Sequence, residues 1–306
     1  MTAPLYIGLD GGGTKTSLLA GTDTALLPPP PPGPGSNPQR VGVSSTVEIL
    51  TTLIDSVVAH QPHRRLAAVC VGLAGAGTPS VQHEVHTALL AARPAWAQAV
   101  LDIVPDTEIA LEAAWGADSG VLVIAGTGSS VLARTQAGTL VRAGGWGYLL
   151  GDEGSGYALG LAGLRAVARA MDGGSPTPLT TMLAARYDLH DRAQLVEAIY
   201  RQAWPIQRAA PLVLEAAQDG DAEMQALVAA QAEALIEHVA NLTQRHPSIQ
   251  PRLALTGGLA KAPVYTAQFQ RALAQRMPRW TLAVATNAPV VGALARARRL
   301  AHEQTS

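Results

Sequence analysis

Apolar residues fall in two rhythms along this chain. Short runs rich in Val, Ile, Leu and Ala close on glycine or an acid: "LYIGLDGGG" at 5–13, "LAAVCVGLAGAG" at 66–77, "AVLDIVPD" at 99–106, "GVLVIAGTGS" at 120–129 and "RLALTGGLA" at 252–260. Between them "TVEILTTLIDSVVAH" (46–60), "SVQHEVHTALLAA" (80–92) and the long stretch 222–246 repeat an apolar residue every three to four positions. The first rhythm predicts buried strands and the second predicts helices with one buried face. Strands alternating with helices predict α/β layers. "SGVLVIAGTGS" reads as the first strand of a second α/β unit, which puts a domain boundary near 117.

Composition narrows this picture. With 306 residues, 48% of them hydrophobic, the chain can bury one large core or two ordinary ones. Aromatics are only 4%, so Ala, Leu and Val must fill it. A net charge of −1 leaves no electrostatic footprint for nucleic acid or an anionic membrane, so any anion site must be local. Cys70 is the one cysteine, which excludes an internal disulfide or a multi-thiolate metal centre within the chain. It sits in a predicted strand, where a core thiol is expected. The opening residues lack a basic, apolar leader, and no run approaches the ~20 apolar residues of a membrane helix. A soluble, cytoplasmic protein with no membrane partner is the expectation.

The chemistry concentrates where apolar runs end. Asp10 closes the first run, followed by Gly11, Gly12, Gly13, Thr14 and Lys15 before the pattern turns apolar again. This predicts a strand–turn–strand whose backbone N–H groups can approach an anion, with Thr14 and Lys15 as extra donors. The Lys spacing is wrong for a P-loop. Gly126, Thr127, Gly128, Ser129 and Ser130 repeat the design, and the Val at 131 departs from the glycine of a dinucleotide fingerprint. Asp106 falls where a strand gives way to a helix, as an N-cap or as a general base aimed from the strand end. "GGWGYLLGDEGSG" offers Gly145, Trp146, Asp152 and Glu153; carboxylates there suit sugar hydroxyls, or form a charged surface turn. Gly257 and Gly258 end another strand, where a flat ring could lie against exposed backbone. "PPPPPGPGS" (28–36) predicts a stiff edge loop, and Asn37 emerges from it as a turn residue or a ligand contact. "HEVH" (83–86) misses the zinc-protease spacing by one residue and reads as a solvated helix face.

Taken in order, "GLDGGGTKT", "PDTEIALEAA", "IAGTGSS", "GGWGYLLGDEGSGYALG", "LTGGLA" and "APVVGALARAR" resemble the N-acetylglucosamine kinase type of the BadF/BadG/BcrA/BcrD ATPase family, within the actin/hexokinase/Hsp70 superfamily. The resemblance runs from about 6 to about 300, and "GTGS…GGWG…GDEGS" is its most specific part. It implies two actin-like, ribonuclease H-like α/β domains with an interdomain cleft for ATP and sugar: 1–117 plus about 290–306, and 118–289 for nucleotide binding and dimerisation. Matched residue by residue, Asp106 falls on the catalytic base. Asn37, Thr127, Ser129, Gly145, Trp146 and Asp152 fall on sugar contacts. Gly11, Gly12, Gly13, Thr14 and Lys15, then Gly126, Thr127 and Gly128, then Gly257 and Gly258 fall on the ATP motifs. Asp10 falls on the carboxylate that serves Mg²⁺ through water. The proline run before Asn37 is longer than the family pattern. The resemblance implies ATP-dependent phosphorylation of the 6-hydroxyl of N-acetylglucosamine by a homodimer, with glucosamine or another hexose as the alternative acceptor. An activator ATPase coupled to electron transfer is the rival of another class, and it would need cysteines this chain lacks.

Overall fold

The computed structural model describes residues 3–305. The chain divides into two compact units, one running to Asp118 and resuming at Ala285, the other Ser119–Val284. The first unit holds β1 (Ala3–Gly11), β2 (Lys15–Gly21), β3 (Gly33–Pro34), α1 (Pro38–Ala59), β4 (Arg64–Leu73), α2 (Pro79–Ala92), β5 (Val100–Pro105) and α3 (Asp106–Trp115). The second holds β6 (Gly120–Ala125), β7 (Ser129–Arg134), β8 (Leu140–Gly144), α4 (Gly156–Met171), α5 (Pro178–Tyr187), α6 (Arg192–Tyr200), α7 (Ala210–Gln218), α8 (Ala222–Arg245), β9 (Arg252–Thr256), α9 (Pro263–Arg276) and β10 (Thr281–Val284). The last helix, α10 (Pro289–Thr305), belongs to the first unit.

The first sheet runs β3-β2-β1-β4-β5, with β1–β2 antiparallel and β1–β4–β5 parallel. Its strands are buried on both faces, and alternation decides which side chain goes where. Leu5, Ile7 and Leu9 of β1 join Val69 and Val71 of β4 under α1 and α2. Tyr6, Ala68 and Cys70 join Ile109 of α3 and Ala293, Leu294 and Ala297 of α10 on the opposite face. Gly8 lies on that second face, where a side chain would run into the α10 backbone at Leu294. Cys70 is fully buried as expected, within 3.5 Å of Asp102.

The proline segment ends as the two-residue edge strand β3, pairing with β2 at Lys15 and Thr16. An edge is where proline, lacking an N–H, can be accommodated. Helix α1 begins eight residues before the predicted stretch, because Asn37 caps it and Pro38 occupies its first position; Gly42 (φ 79°) then breaks it. One sequence expectation needs correction here: α1 contains an 18-residue window of mean hydropathy 1.4, long and apolar enough by length and composition to cross a membrane. Its Leu50 and Ile54 are fully buried in the unit's core, which is how an amphipathic core helix disposes of that apolar surface.

The second sheet runs β10-β9-β6-β7-β8, with β6–β7–β8 a meander of hairpins and β9 parallel to β6. Val121, Val123, Val131, Leu253 and Leu255 form its buried face against Leu159 of α4, Leu212 of α7 and Leu235, Ile236 and Val239 of α8.

Candidate functional site

In the first unit the chemistry gathers at the carboxyl ends of parallel strands, where an open α/β sheet leaves backbone groups unspent. Asp10 of β1 pairs with Gly72 of β4, and Gly72 with Val104 of β5. Asp10 and Gly72 share the face covered by α3, and a side chain at Gly72 would collide with Ile109 of that helix. The glycine lets α3 close onto the strand end, which brings its first residue, Asp106, near enough to Asp10 for their charges to interact. Asp106 is not the N-cap: Pro105 holds that position, and Asp106 is the first helical residue. Its carboxylate accepts from its own and Thr107's backbone N–H at the helix's free end. Burial pushes the Asp106 carboxyl above the ordinary carboxylate range, and those N–H groups pull it partly back. Asp10 is also raised, first by burial and then by the Asp106 charge, with Lys15 pulling the other way.

Gly11 to Lys15 form the β1–β2 turn, closed by Gly12 N donating to Lys15 O at 3.0 Å; Gly13, Thr14 and Lys15 are exposed. Asn37 sits beside this turn because Ser36 is tied to it. Ser36 N donates to Gly12 O at 3.1 Å, and Thr16 Oγ1 donates to Ser36 Oγ at 2.8 Å. Asn37 Oδ1 accepts Gln39 N at 2.9 Å and fills the space a side chain at Gly75 would need, so the N-cap role is real and Nδ2 is left as the donor for another partner. Arg40 adds an exposed guanidinium whose Nη1 donates to Gly13 O at 3.3 Å.

In the second unit Gly126, Thr127 and Gly128 form the β6–β7 turn, closed by Gly126 N to Gly128 O at 2.9 Å. The same turn accepts the start of α4: Gly156 N donates to Gly126 O at 2.8 Å and Tyr157 N to Thr127 O at 3.0 Å. Turn and helix start are therefore one hydrogen-bonded body. Asp152 lies against it, its carboxylate over Gly128. It is 9% exposed, its φ is +62°, and among the described residues no donor reaches its carboxylate. The left-handed backbone carries a cost that the fold itself does not recover. Ser129 is buried and donates its Oγ to Glu153 O at 2.7 Å, so its hydroxyl proton is already committed. Gly145 (φ 70°) precedes Trp146, which is 73% exposed on a loop that also exposes Tyr148, Leu149 and Leu150.

Gly257 and Gly258 follow β9 beside the same turn. Gly257 has φ +106° and lies so close to Ala125 O that no side chain fits, while the space beside Gly258 is open. Among the described residues no group of three or more His, Cys, Asp or Glu gathers into a metal site, and His83 of "HEVH" is exposed.

Several supporting residues escaped the sequence reading. Gln231 and His238 on α8 and Tyr265 on α9 contact the segment after Asp152, and Ser36 fixes the Asn37 loop. Each lies in an ordinary helix or loop pattern and acts through a contact distant in sequence, so no local signal marks it.

The comparisons with known proteins bear on the family and the fold. The model of the BadF/BadG/BcrA/BcrD ATPase family matches residues 7–297. An N-acetylmuramic acid/N-acetylglucosamine kinase of Clostridium acetobutylicum is 32% identical over 199 residues, 64% of this chain and 64% of that one. An N-acetyl-D-glucosamine kinase of Dictyostelium discoideum is 31% identical over 242 residues, covering 72% and 73%. Among solved structures, a "putative N-acetylglucosamine kinase" from Chromobacterium violaceum superposes with a TM-score of 0.72 at 26% identity, covering 96% of this chain and 99% of that one. The family's pattern thus spans both units and nearly every described residue: the chain belongs to the BadF/BadG/BcrA/BcrD ATPase family.

Proposed function

We propose that this protein is a sugar kinase that transfers the γ-phosphoryl group of ATP to the 6-hydroxyl of N-acetylglucosamine. The observation that carries the reading is Asp106: a carboxylate held at a helix N-terminus at the strand ends, kept basic by burial, with Asp10 beside it. The family and the activities borne by the two relatives above support the same choice.

In this reading Asp106 accepts the proton of the sugar hydroxyl. The freed oxygen forms its bond to the γ-phosphorus while the bond from that phosphorus to the β–γ bridging oxygen breaks, releasing ADP. Raising the pKa of a base strengthens its pull on the proton, and placing it within reach of one hydroxyl selects the acceptor. The turns at Gly11–Lys15 and Gly126–Gly128 hold phosphate oxygens on backbone N–H groups, with Lys15 adding charge. Phosphoryl transfer asks mainly for such positioning and charge stabilisation. Asp152, Asn37 and Trp146 recognise the sugar: an acceptor, a donor and an apolar face. Gly257 and Gly258 leave backbone exposed for the adenine ring.

Mg²⁺ would neutralise phosphate charge. Asp10 suits it, since Mg²⁺ commonly takes one or two carboxylates plus substrate phosphates and keeps several waters, rather than a dedicated protein cage. A homodimer in the cytoplasm belongs to the same proposal and rests on the family resemblance.

The test is coupled ADP release with Mg·ATP against N-acetylglucosamine, N-acetylmuramic acid, glucosamine, glucose and no sugar. Turnover with N-acetylglucosamine, lost in Asp106→Asn, is expected. Preference for another sugar would move the acceptor. Sugar-independent ADP release untouched by the substitution would overturn the kinase reading.

A further inference from the structure

Asp152 holds a costly backbone, and something must hold it there. The segment that follows is gripped at four points. Gly154 N donates to Gln231 Oε1 at 2.9 Å, Tyr265 Oη donates to Gly154 O at 2.7 Å, Ser129 Oγ donates to Glu153 O at 2.7 Å, and His238 Nε2 lies 3.2 Å from Glu153 Oε2. Gly154 itself has φ +77° and sits on Leu235 so closely that no side chain fits. One of these groups stands out from its surroundings. Tyr265 is fully buried and stacks on Phe269, while α8 and α9 otherwise bring Leu235, Ile236, Val239, Ala272 and Leu273 to the same core. Apolar packing holds that core, and a phenol hydroxyl placed there is unfavourable unless bonded. Its one hydrogen bond goes to the loop rather than to another helix.

We propose that Tyr265 and Gln231 are positioning residues for sugar recognition: by bonding the peptides on either side of Gly154, they fix Asp152 in its left-handed conformation over the Gly126–Gly128 turn. This rests on the reading of Asp152 as a sugar contact. The chain of action is short. Asp152 O accepts Ser155 N at 3.1 Å, so the backbone from 152 to 155 is one closed turn, and Gly154 lies inside it. Loosening Gly154 frees Asp152 to relax toward an ordinary φ, which carries the carboxylate away from its station. The nucleotide side is tied separately, through Gly156 and Tyr157 to Gly126 and Thr127. Sugar affinity should therefore suffer and ATP affinity should not.

The experiment uses the full chain, with sugar KM, ATP KM and kcat measured for wild type, Tyr265→Phe, Gln231→Leu and Gln231→Glu, and with direct calorimetric titration of the sugar. Tyr265→Phe and Gln231→Leu are expected to raise sugar KM and Kd roughly tenfold, the scale of one lost buried hydrogen bond, with ATP KM within about twofold of wild type. Gln231→Glu keeps the acceptor oxygen and should restore the sugar KM. In Asp152→Ala, adding Tyr265→Phe should raise sugar KM no further, since the tether then has nothing to position. Tyr187→Phe is the control, deleting an exposed hydroxyl-to-carbonyl bond, Tyr187 Oη to Arg208 O at 3.1 Å, elsewhere in the same unit. A lowered Tm with sugar KM unchanged would make Tyr265 and Gln231 ordinary core residues and overturn the proposal. So would an additive double variant. If wild type shows no sugar dependence at all, the functional reading fails first, and the two failures are told apart.

Discussion

Asp152 offers a substitution series in which stability should separate two variants that recognition does not. Its φ of +62° belongs to the left-handed region, which costs an L-residue about 1–2 kcal/mol, less for Asp than for most. Glycine at this position carries no such strain, and alanine meets it in full. Alanine recovers about 0.4–1 kcal/mol by restricting the unfolded chain, so Asp152→Ala should be less stable than Asp152→Gly by about 1 kcal/mol. In a unit of this size that is a Tm difference of roughly 2–4 °C. Among the described residues no donor reaches this carboxylate, so its removal breaks no hydrogen bond in either variant. Recognition follows different arithmetic. A hydrogen bond from a sugar hydroxyl to a charged acceptor contributes about 1.5–3 kcal/mol. Losing it raises sugar KM roughly 10- to 150-fold at 1.4 kcal/mol per decade, equally for Gly and Ala. The assays are differential scanning calorimetry without ligand and initial rates with sugar varied at saturating ATP. Equal Tm values for the two variants would deny the strained backbone, and an unchanged sugar KM would deny the contact.

Asp106→Asn should lower kcat by roughly 10²–10⁴-fold with both KM values nearly unchanged, measured by steady-state kinetics. The same variant should raise Tm. Burial lifts the folded-state pKa of Asp106 above its unfolded value, so the folded state keeps a proton longer and loses stability as pH rises through that interval, and an amide escapes this loss. A Tm that falls instead would contradict the buried, charge-disfavouring environment. For the wild type, the acid limb of kcat/KM should have its midpoint above the ordinary Asp value of about 3.9, because the base must be unprotonated; a midpoint at or below that value would count against Asp106 as the base. Gly292 of α10 faces Ile109 O and Ala113 N of α3 with no room for a side chain. Gly292→Val should lower Tm through about 1–3 kcal/mol of overpacking and reduce kcat with it, because α3 begins at Asp106; full stability would mean the helices do not meet there.

How far the sequence reaches can be judged element by element. The strands ending at Gly11, Pro105 and Ala125 were legible because each is an apolar run closed by a turn residue or an acid, and the hairpins at 15–21 and 129–144 because the pattern resumes at once after the glycines. The four helices between 156 and 218 were not. Three of them have ten residues or fewer, too short for a period to establish itself, and they exist because the second core, with Leu179, Leu183, Leu195 and Leu212, fastens them. At the site, the carboxylates could be picked from strand ends, but Asp106 as first helical residue rather than cap depends on how closely Gly72 admits Ile109. The tethers on Gly154 reach across 77 and 111 residues, and a sequence read locally has no term for them.

The ten glycines between 124 and 160 can now be given separate physical causes. A flexible linker would have open space beside each glycine and few bonds from its backbone. Here only Gly138 and Gly147 have open space, and both lie in turns at positive φ. Others are small because something else already occupies the place of a side chain. Gly154 rests on Leu235, Gly156 closes on Gly126 O, and Gly160 lies against Ile206 O. The segment is therefore packed, with glycine used where one backbone must pass very near another. That is also the condition under which backbone N–H groups can be brought to a ligand without side chains in the way. The same close packing holds Asp152 away from its preferred conformation. A recognition carboxylate can be strained only where its neighbours cannot give way, so the density of glycine and the strain at Asp152 are two consequences of one requirement.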